Sequence, residues 1–160
     1  MIDGYNLFFR LEEFPNPLQN KRESFIEALS IALQEALLFA TVVFDSNTKE
    51  APIYPSSSHA YPHLEIVFSP KGLCADRYIL EYLQALSNAS HLVLVTDDKR
   101  LILFAKEEGV KHLSLADFLA KLSKKRAPLK QERKTHSQSK AEFERLLKIF
   151  EEKFKQNDRS

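Results

Sequence analysis

The chain has 160 residues, of which 44% are hydrophobic and 12 are phenylalanine, so it is long enough to bury one core. Its one cysteine, Cys74, excludes an internal disulfide framework and a cysteine-rich zinc site. We expect no membrane association, because every apolar run is too short to cross a bilayer and no export signal is visible. The composition predicts a compact domain in a reducing cytoplasm rather than a disulfide scaffold or a membrane protein.

Charge is distributed unevenly along the chain. The formal net charge is +1, but residues 1–120 carry −6, residues 121–140 carry +7 and residues 141–160 balance. An acidic body with a basic arm is typical of a cation-binding site joined to a segment that binds a polyanion. On charge alone, a solvated basic linker is an equally good interpretation of the arm.

The first half of the chain predicts strands and helices in alternation. A short strand over residues 1–5 leads into a proline-containing loop, and apolar residues at three- and four-residue spacing predict a helix over residues 22–38. The apolar runs Ala40–Phe44 and Leu64–Phe68 are typical of strands covered on both faces. Residues 46–61 are rich in proline and serine and predict a loop.

The second half continues the same alternation up to residue 122. It predicts a helix over residues 75–86, a strand over 91–95, a helix over 99–108 and a short edge strand over 110–113. The segment SLAD at residues 114–117 resembles a capping box that opens a last helix. Alternating strands and helices predict the α/β class, with a three-layer parallel sheet and helices on both of its faces.

The last part of the chain has a different character. Residues 123–139 show no apolar period and predict a flexible basic linker. Apolar residues at helical spacing then predict a C-terminal amphipathic helix, and they are Phe143, Leu146, Leu147, Phe150 and Phe154. The predicted organisation is therefore one α/β domain over residues 1–122, followed by a linker and a helix over residues 123–160.

Aspartates stand where the predicted strands end. Asp3 closes the first strand, Asp45 follows the second, and Asp97 and Asp98 follow the strand over residues 91–95. A further acid, Asp76, opens the helix that follows the third parallel strand. Because ligands of parallel α/β sheets bind at the carboxyl ends of the strands, we expect these carboxylates to converge.

A convergent set of carboxylates requires a cation. Two carboxylates about 4 Å apart repel by roughly 4 kcal/mol at an effective dielectric constant near 20. A hard divalent ion removes this repulsion, and purely oxygen ligands favour Mg²⁺ or Mn²⁺. Such a site activates water and holds a phosphodiester for in-line attack. The pattern therefore predicts a metal-dependent phosphodiesterase, and the basic arm suits a polyanionic substrate.

Each acid also has a purely structural explanation. Asp97 or Asp98 is equally suited to cap the following helix, and Asp76 to interact with the dipole of its own helix. Asp45 is equally suited to start a turn. A haloacid-type phosphatase is disfavoured, because that class needs a second aspartate at the position of Tyr5.

Four segments resemble, in order, the motifs of one family. Residues 2–7 (IDGYNL) resemble the opening motif of the NYN domains, a branch of the PIN-like nucleases, and in particular of the YacP-like family. Residues 41–45 (TVVFD), residues 66–76 (IVFSPKGLCAD) and residues 93–98 (VLVTDD) resemble the second, third and fourth motifs. The resemblance covers about residues 1–120 and implies the PIN-like fold.

This resemblance implies an endoribonuclease that uses Mg²⁺ or Mn²⁺, in some members acting on mRNA on the ribosome. By analogy Asp3, Asp76 and Asp98 are the core metal-binding and catalytic acids, and Asn6 orients a ligand or the phosphate. Asp45 supports the site from its rim. The candidate metal ligands are Asp3, Asp45, Asp76, Asp97 and Asp98.

Basic residues complete the predicted site. Lys71 lies in the third matching segment and Arg100 lies two residues after the fourth, and both are candidates for contacts with RNA phosphates. The basic arm adds further candidates, which are Lys124, Lys125 and Arg126. RNA is the expected partner.

The chain departs from the family pattern in three places. Residues 72–76 read GLCAD where relatives read Gly-Glu-Thr-Ala-Asp, so an acid and a hydroxyl are lost. Asp97 replaces a serine, which adds either a ligand or only a cap, and few residues precede Asp3. The first departure keeps a second hypothesis open, in which the same fold binds RNA or the ribosome with weak cleavage or none.

Overall fold

A computed structural model describes residues 1–11, 18–46 and 56–125, with side-chain detail inside a few of these elements left out. The elements in chain order are β1 (Ile2–Asp3), α1 (Gly4–Leu11), α2 (Leu18–Ala36), β2 (Ala40–Phe44), β3 (Ser56–Tyr61), β4 (Leu64–Phe68), α3 (Ala75–Ala85), β5 (Val93–Val95), α4 (Lys99–Glu107), β6 (Lys111–Leu113) and α5 (Leu115–Lys125). The predicted terminal amphipathic helix lies outside the described residues.

The strands form one sheet in the order β3-β4-β2-β1-β5-β6. Five strands run parallel to one another, and in sheet order they are β4, β2, β1, β5 and β6. The remaining strand, β3, pairs antiparallel with β4 at one edge of the sheet. One buried cluster joins the sheet to α1, α2 and α5, and a second joins its other face to α3 and α4. The predicted three-layer α/β architecture is confirmed.

The helix predicted over residues 22–38 shows how apolar spacing produced this packing. In α2 the side chains of Phe25, Leu29, Ala32 and Leu33 are all at most 5% exposed, and they lie at three- and four-residue intervals. This spacing places them on one helix face, which packs against the sheet. The N-cap half of the predicted capping box is confirmed, since Ser114 Oγ accepts the backbone N–H of Asp117 at 3.1 Å; the Asp117 carboxylate accepts from the same hydroxyl at 2.7 Å.

Two predictions about loops are wrong. Residues 56–61 of the predicted loop form strand β3, whose sequence SSSHAY lacks an apolar period. An edge strand is held by its backbone pairing with β4, so it needs no alternation of apolar side chains. The first strand is also shorter than predicted, because α1 begins at Gly4; α1 extends to Leu11 and α2 begins at Leu18, so both enter the expected loop.

The central strand β1 is only two residues long, but the residue before it continues the pairing. The backbone nitrogen of Val95 donates to the carbonyl of Met1, and the nitrogen of Met1 donates to the carbonyl of Val93, both at 2.8 Å.

An apolar groove of about 730 Å³ opens at the amino-terminal edge of the sheet, beside Met1 and Val93. No helix in the described ranges is both long and apolar enough to cross a membrane.

Candidate active site

Asp3 lies at the carboxyl end of the central strand and is 6% exposed. Its Oδ1 accepts the backbone N–H of Asn6 at 3.1 Å, in the first turn of α1. The tight junction between β1 and α1 depends on Gly4. A Cβ atom at Gly4 would lie 2.7 Å from the carbonyl oxygen of Val43 and 2.6 Å from the ring of Phe44. Only glycine lets α1 start this close to β2, which places Asp3 at the edge of the sheet.

Asp45 and Asp76 are joined through the start of α3. Asp45 follows β2, and its Oδ1 accepts a short hydrogen bond from the backbone nitrogen of Ala75. Asp76 is the next residue, in the first turn of α3. Asp45 therefore fixes the start of the helix that carries Asp76.

The two neighbouring acids after β5 have different partners. Asp98 is the N-cap of α4, because its Oδ1 accepts the backbone N–H groups of Arg100 at 2.8 Å and Leu101 at 3.0 Å. Asp97 Oδ1 instead accepts the N–H of Leu115 at 3.1 Å, at the start of α5. The capping alternative for the helix at Lys99 is thus met by Asp98, whereas Asp97 bonds to the start of α5.

Electrostatic interactions show which acids lie together. The pKa of Asp3 is raised to about 6, chiefly by burial; the Asn6 N–H lowers it, and the charges of Asp76, Asp45 and Asp98 raise it. Burial also raises the pKa of Asp76, as do the charges of Asp98 and Asp45. We call these four residues, Asp3, Asp45, Asp76 and Asp98, the acid cluster. Asp97 is not among the charges that act on Asp3 or Asp76.

The acid cluster fits a hard divalent cation in the chemistry of its side chains. All four side chains offer carboxylate oxygens, which are the ligands that Mg²⁺ and Mn²⁺ prefer. In the described part of the chain, no three acidic, histidine or cysteine side chains approach closely enough to form a ready ligand set. Two members of the cluster do lie in contact, because a side-chain hydrogen bond with Asp3 lowers the pKa of Asp76. The donor set therefore fits such an ion.

A hydrogen-bond network holds the turn after β5, and most of its members were not predicted from the sequence. Asn6 Oδ1 accepts the backbone N–H of Asp97 at 3.4 Å, so Asn6 links α1 to this turn. Thr96 is fully buried, and its Oγ1 accepts the N–H of Asp98 at 3.1 Å. His112 Nε2 donates to the carbonyl of Thr96 at 2.8 Å from the neighbouring strand β6. Thr96 and His112 are positioning residues that only the sheet order reveals.

The basic candidates lie in three different parts of the domain. Arg100 is exposed in the first turn of α4, and its charge lowers the pKa of Asp76, so it stands beside the acid cluster. Lys71 is exposed in the turn after β4. Lys124 is exposed near the end of α5, about 15 Å along the helix axis from the start of α5 near Asp97. The side chain of Lys125 and the whole of Arg126 lie outside the described residues.

Comparison with known proteins decides the family. The model of the YacP-like NYN domain family matches residues 1–159. The chain belongs to the YacP-like NYN family. This match extends beyond the 1–120 region that carries the motifs. No curated protein matches the chain significantly.

Two solved structures show the same YacP-like fold. Rae1 (YacP) from Bacillus subtilis is 20% identical, with a TM-score of 0.56 over 99% of this chain and 93% of that chain. A mutant form of the same protein is 18% identical, with a TM-score of 0.59 over 91% of this chain and 89% of that chain. At this identity the likeness establishes the fold, which is the PIN-like α/β sheet with helices that the motifs implied.

Membership makes the chain a nuclease-family protein and supports an RNA-cleaving hydrolase in general. The departure at residues 72–76 now has a structural meaning. Cys74 is the N-cap of α3 and makes no hydrogen bond through its side chain, whereas the family pattern has a threonine there. The Asp45 carboxylate reaches the same helix terminus through Ala75. The lost hydroxyl is therefore a lost helix cap, partly replaced by a carboxylate from the neighbouring strand.

Proposed function

We propose that this YacP-like NYN protein is a metal-dependent endoribonuclease. It hydrolyses RNA phosphodiester bonds at the acid cluster with Mg²⁺ or Mn²⁺ held by Asp3, Asp76 and Asp98. The single observation that carries the proposal is the meeting of four carboxylates at the carboxyl edge of the sheet, where burial and then the charges of the other three raise the pKa of Asp3 to about 6. Such a concentration of negative charge is costly without a cation and is typical of functional sites.

The reaction is a hydrolysis. The oxygen of a water molecule bonds to phosphorus, the bond from phosphorus to the 3′ oxygen breaks, and a proton of the water ends on that 3′ oxygen. The products are a 5′-phosphate and a 3′-hydroxyl. A bound divalent ion supplies charge neutralisation and a more acidic water in such sites.

In this proposal, residues of the chain bind the metal ion, position the ligands and bind the substrate phosphate. Asp3 and Asp76 supply carboxylate oxygens from β1 and α3, and Asp98 supplies its second oxygen while Oδ1 caps α4. Asp45 holds the start of α3, and Asn6 holds the turn that carries Asp98. Arg100, beside Asp76, is placed to bind a phosphate of the substrate. Asp97 supports the site through α5 in this proposal rather than as a ligand.

The proposal includes a context. RNA is the substrate class, mRNA on the ribosome is the proposed setting, and the cytoplasm the proposed location. The basic residues after Leu122 suit a polyanionic partner, since residues 121–140 carry a net charge of +7.

The first test is a calorimetric titration of the protein with Mn²⁺ and Mg²⁺, run beside cleavage of a mixed RNA pool. Wild type is compared with Asp76→Asn, and Glu107→Gln is the matched control because Glu107 is exposed near the far end of α4. We expect metal binding and metal-dependent cleavage in wild type and in the control. Both are expected to be lost in Asp76→Asn.

The other outcomes separate the alternatives. If the protein binds metal but does not cleave free RNA, the cleavage assay is repeated with RNA bound to ribosomes. No metal binding in wild type would overturn the proposed enzyme and favour an RNA- or ribosome-binding module, for which the departure at Leu73 and Cys74 is the supporting feature. A module of that kind would still bind RNA with a steep dependence on salt.

A further inference from the structure

An arginine that none of the family motifs contains lies at the same edge of the sheet as the acid cluster. Arg22 is in the first half of α2, and its guanidinium carbon lies 5.3 Å from the centre of the Phe68 ring and 5.9 Å from that of Phe44. Phe44 and Phe68 are the last residues of the paired strands β2 and β4. The two rings therefore hold the positively charged guanidinium of Arg22 at the carboxyl edge of the sheet.

Arg22 and the acid cluster lie on opposite sides of that edge. Phe44 packs in the cluster with α1, α2 and α5, whereas Asp45, the next residue, reaches α3 on the other face. The Phe44 ring also contacts the ring of Tyr5, two residues after Asp3, with centres 5.2 Å apart. Arg22 thus flanks the acid cluster from the α2 side, and Arg100 flanks it from the α4 side.

The guanidinium of Arg22 is held beside two aromatic rings, which accept no conventional hydrogen bond, and it carries five N–H donors in a planar fork. No carboxylate of the described residues forms an ion pair with Arg22, and the residue is partly exposed. A planar, partly exposed donor fork without an ion-pair partner among the described carboxylates is suited to bidentate binding of a phosphate.

We propose that Arg22 binds a backbone phosphate of the RNA substrate, on the opposite side of the acid cluster from Arg100. The RNA strand then crosses the carboxyl edge of the sheet between two arginines, with the scissile phosphate at the acid cluster. The cluster by itself repels a polyanion, so binding needs cations on both of its sides. This inference rests on the proposed function, because it assumes that RNA is bound at this edge.

The test measures binding of a single-stranded RNA to the full-length chain across a salt series. An Asp76→Asn background without divalent ions prevents cleavage, and Arg22→Gln is added to it. We expect about 10-fold weaker binding, the effect of one lost charge-assisted contact. The slope of log K against log salt should become shallower by about 0.7, as for one lost phosphate contact to a single strand. A residue that only packs against Phe44 and Phe68 would leave that slope unchanged.

The matched control is Lys106→Gln, which removes one positive charge in the last turn of α4, at the end away from Asp98. It is expected to leave the salt slope unchanged. If Arg22→Gln behaves like Lys106→Gln while the background binds RNA, the role of Arg22 is overturned and the proposed function stands. If the background binds no RNA, both fail.

A second variant keeps the proposal testable if Arg22→Gln does not fold. Arg22→Lys retains the charge but loses the planar fork. We expect it to keep the full salt slope and to bind RNA several-fold more weakly than the background. Equal affinity of the lysine variant and the background would contradict bidentate binding, with thermal unfolding confirming that both are folded.

Discussion

Asp45 Oδ1 accepts a hydrogen bond from the backbone nitrogen of Ala75, which lies 30 residues later in the chain. The contact ties the end of β2 to the first residue of α3. Cys74, at the N-cap, contributes no side-chain hydrogen bond. A carboxylate from a strand therefore satisfies one N–H of the first helical turn, while the cap position itself is poorly filled.

Replacement of Cys74 by threonine should stabilise the protein. A threonine hydroxyl at the N-cap accepts the N–H of the second or third helical residue, which Asp45 does not reach. We expect an increase of about 0.5–1 kcal/mol in the free energy of unfolding, measured by urea denaturation. Cys74→Ala is the control and should show no gain. Equal stability of the threonine and alanine variants would contradict this account of the lost hydroxyl.

Replacement of Asp3 by asparagine should stabilise the metal-free protein at neutral pH while abolishing cleavage. The pKa of Asp3 is raised from 3.8 to about 6, so folding favours the protonated carboxyl. The stability that this provides is complete below pH 4 and is lost as the pH rises through 6. Asparagine resembles the protonated form, so the variant should gain on the order of 3 kcal/mol at pH 8 and little at pH 4.

The measurement is urea denaturation of both proteins with a chelator at several pH values. The difference between their free energies of unfolding should grow from pH 4 to pH 7 and then level off. A variant that is less stable than wild type at pH 8 would contradict the raised pKa. Saturating Mn²⁺ should reverse the order, because it stabilises only a protein that binds it.

Replacement of Gly4 by alanine should destabilise the fold through a steric conflict. The added carbon would lie 2.7 Å from the Val43 carbonyl oxygen, which is backbone and cannot move freely. We expect a loss of about 1–3 kcal/mol, typical of overpacking, together with reduced cleavage because Asp3 is displaced. Gly72→Ala is the comparison: its φ is +81° and nothing lies within 4 Å, so only backbone strain acts there. An unchanged denaturation midpoint for Gly4→Ala would show that α1 shifts without cost.

Removal of residues 126–160 should weaken binding to RNA while the domain stays folded. The cut follows α5, which extends to Lys125 and includes the fully buried Leu122. Loss of the remaining basic residues should lower the affinity and make its salt dependence shallower. Binding to a single-stranded RNA across a salt series measures this, with thermal unfolding as the control. Equal affinity at every salt concentration would show that the arm is a passive linker.

The sequence by itself determined the α/β class and the place of the acids. Apolar runs such as Ala40–Phe44 are buried on both faces, and the residue after each run must emerge at the carboxyl edge of a parallel sheet. Asp3 and Asp45 were therefore predictable from local pattern, and the order of four motifs predicted the family. The division of the chain at residue 122 stays a prediction, and α5 continues three residues beyond it.

Only the tertiary structure decided the partners of these residues. Adjacent acids Asp97 and Asp98 are alike in sequence, yet one meets the start of α5 and the other caps α4. Arg22 carries no local signal, because its two ring partners lie 22 and 46 positions away along the chain. The physical reason is that burial patterns are local properties of the chain, whereas hydrogen bonds and charge interactions depend on which strands become neighbours.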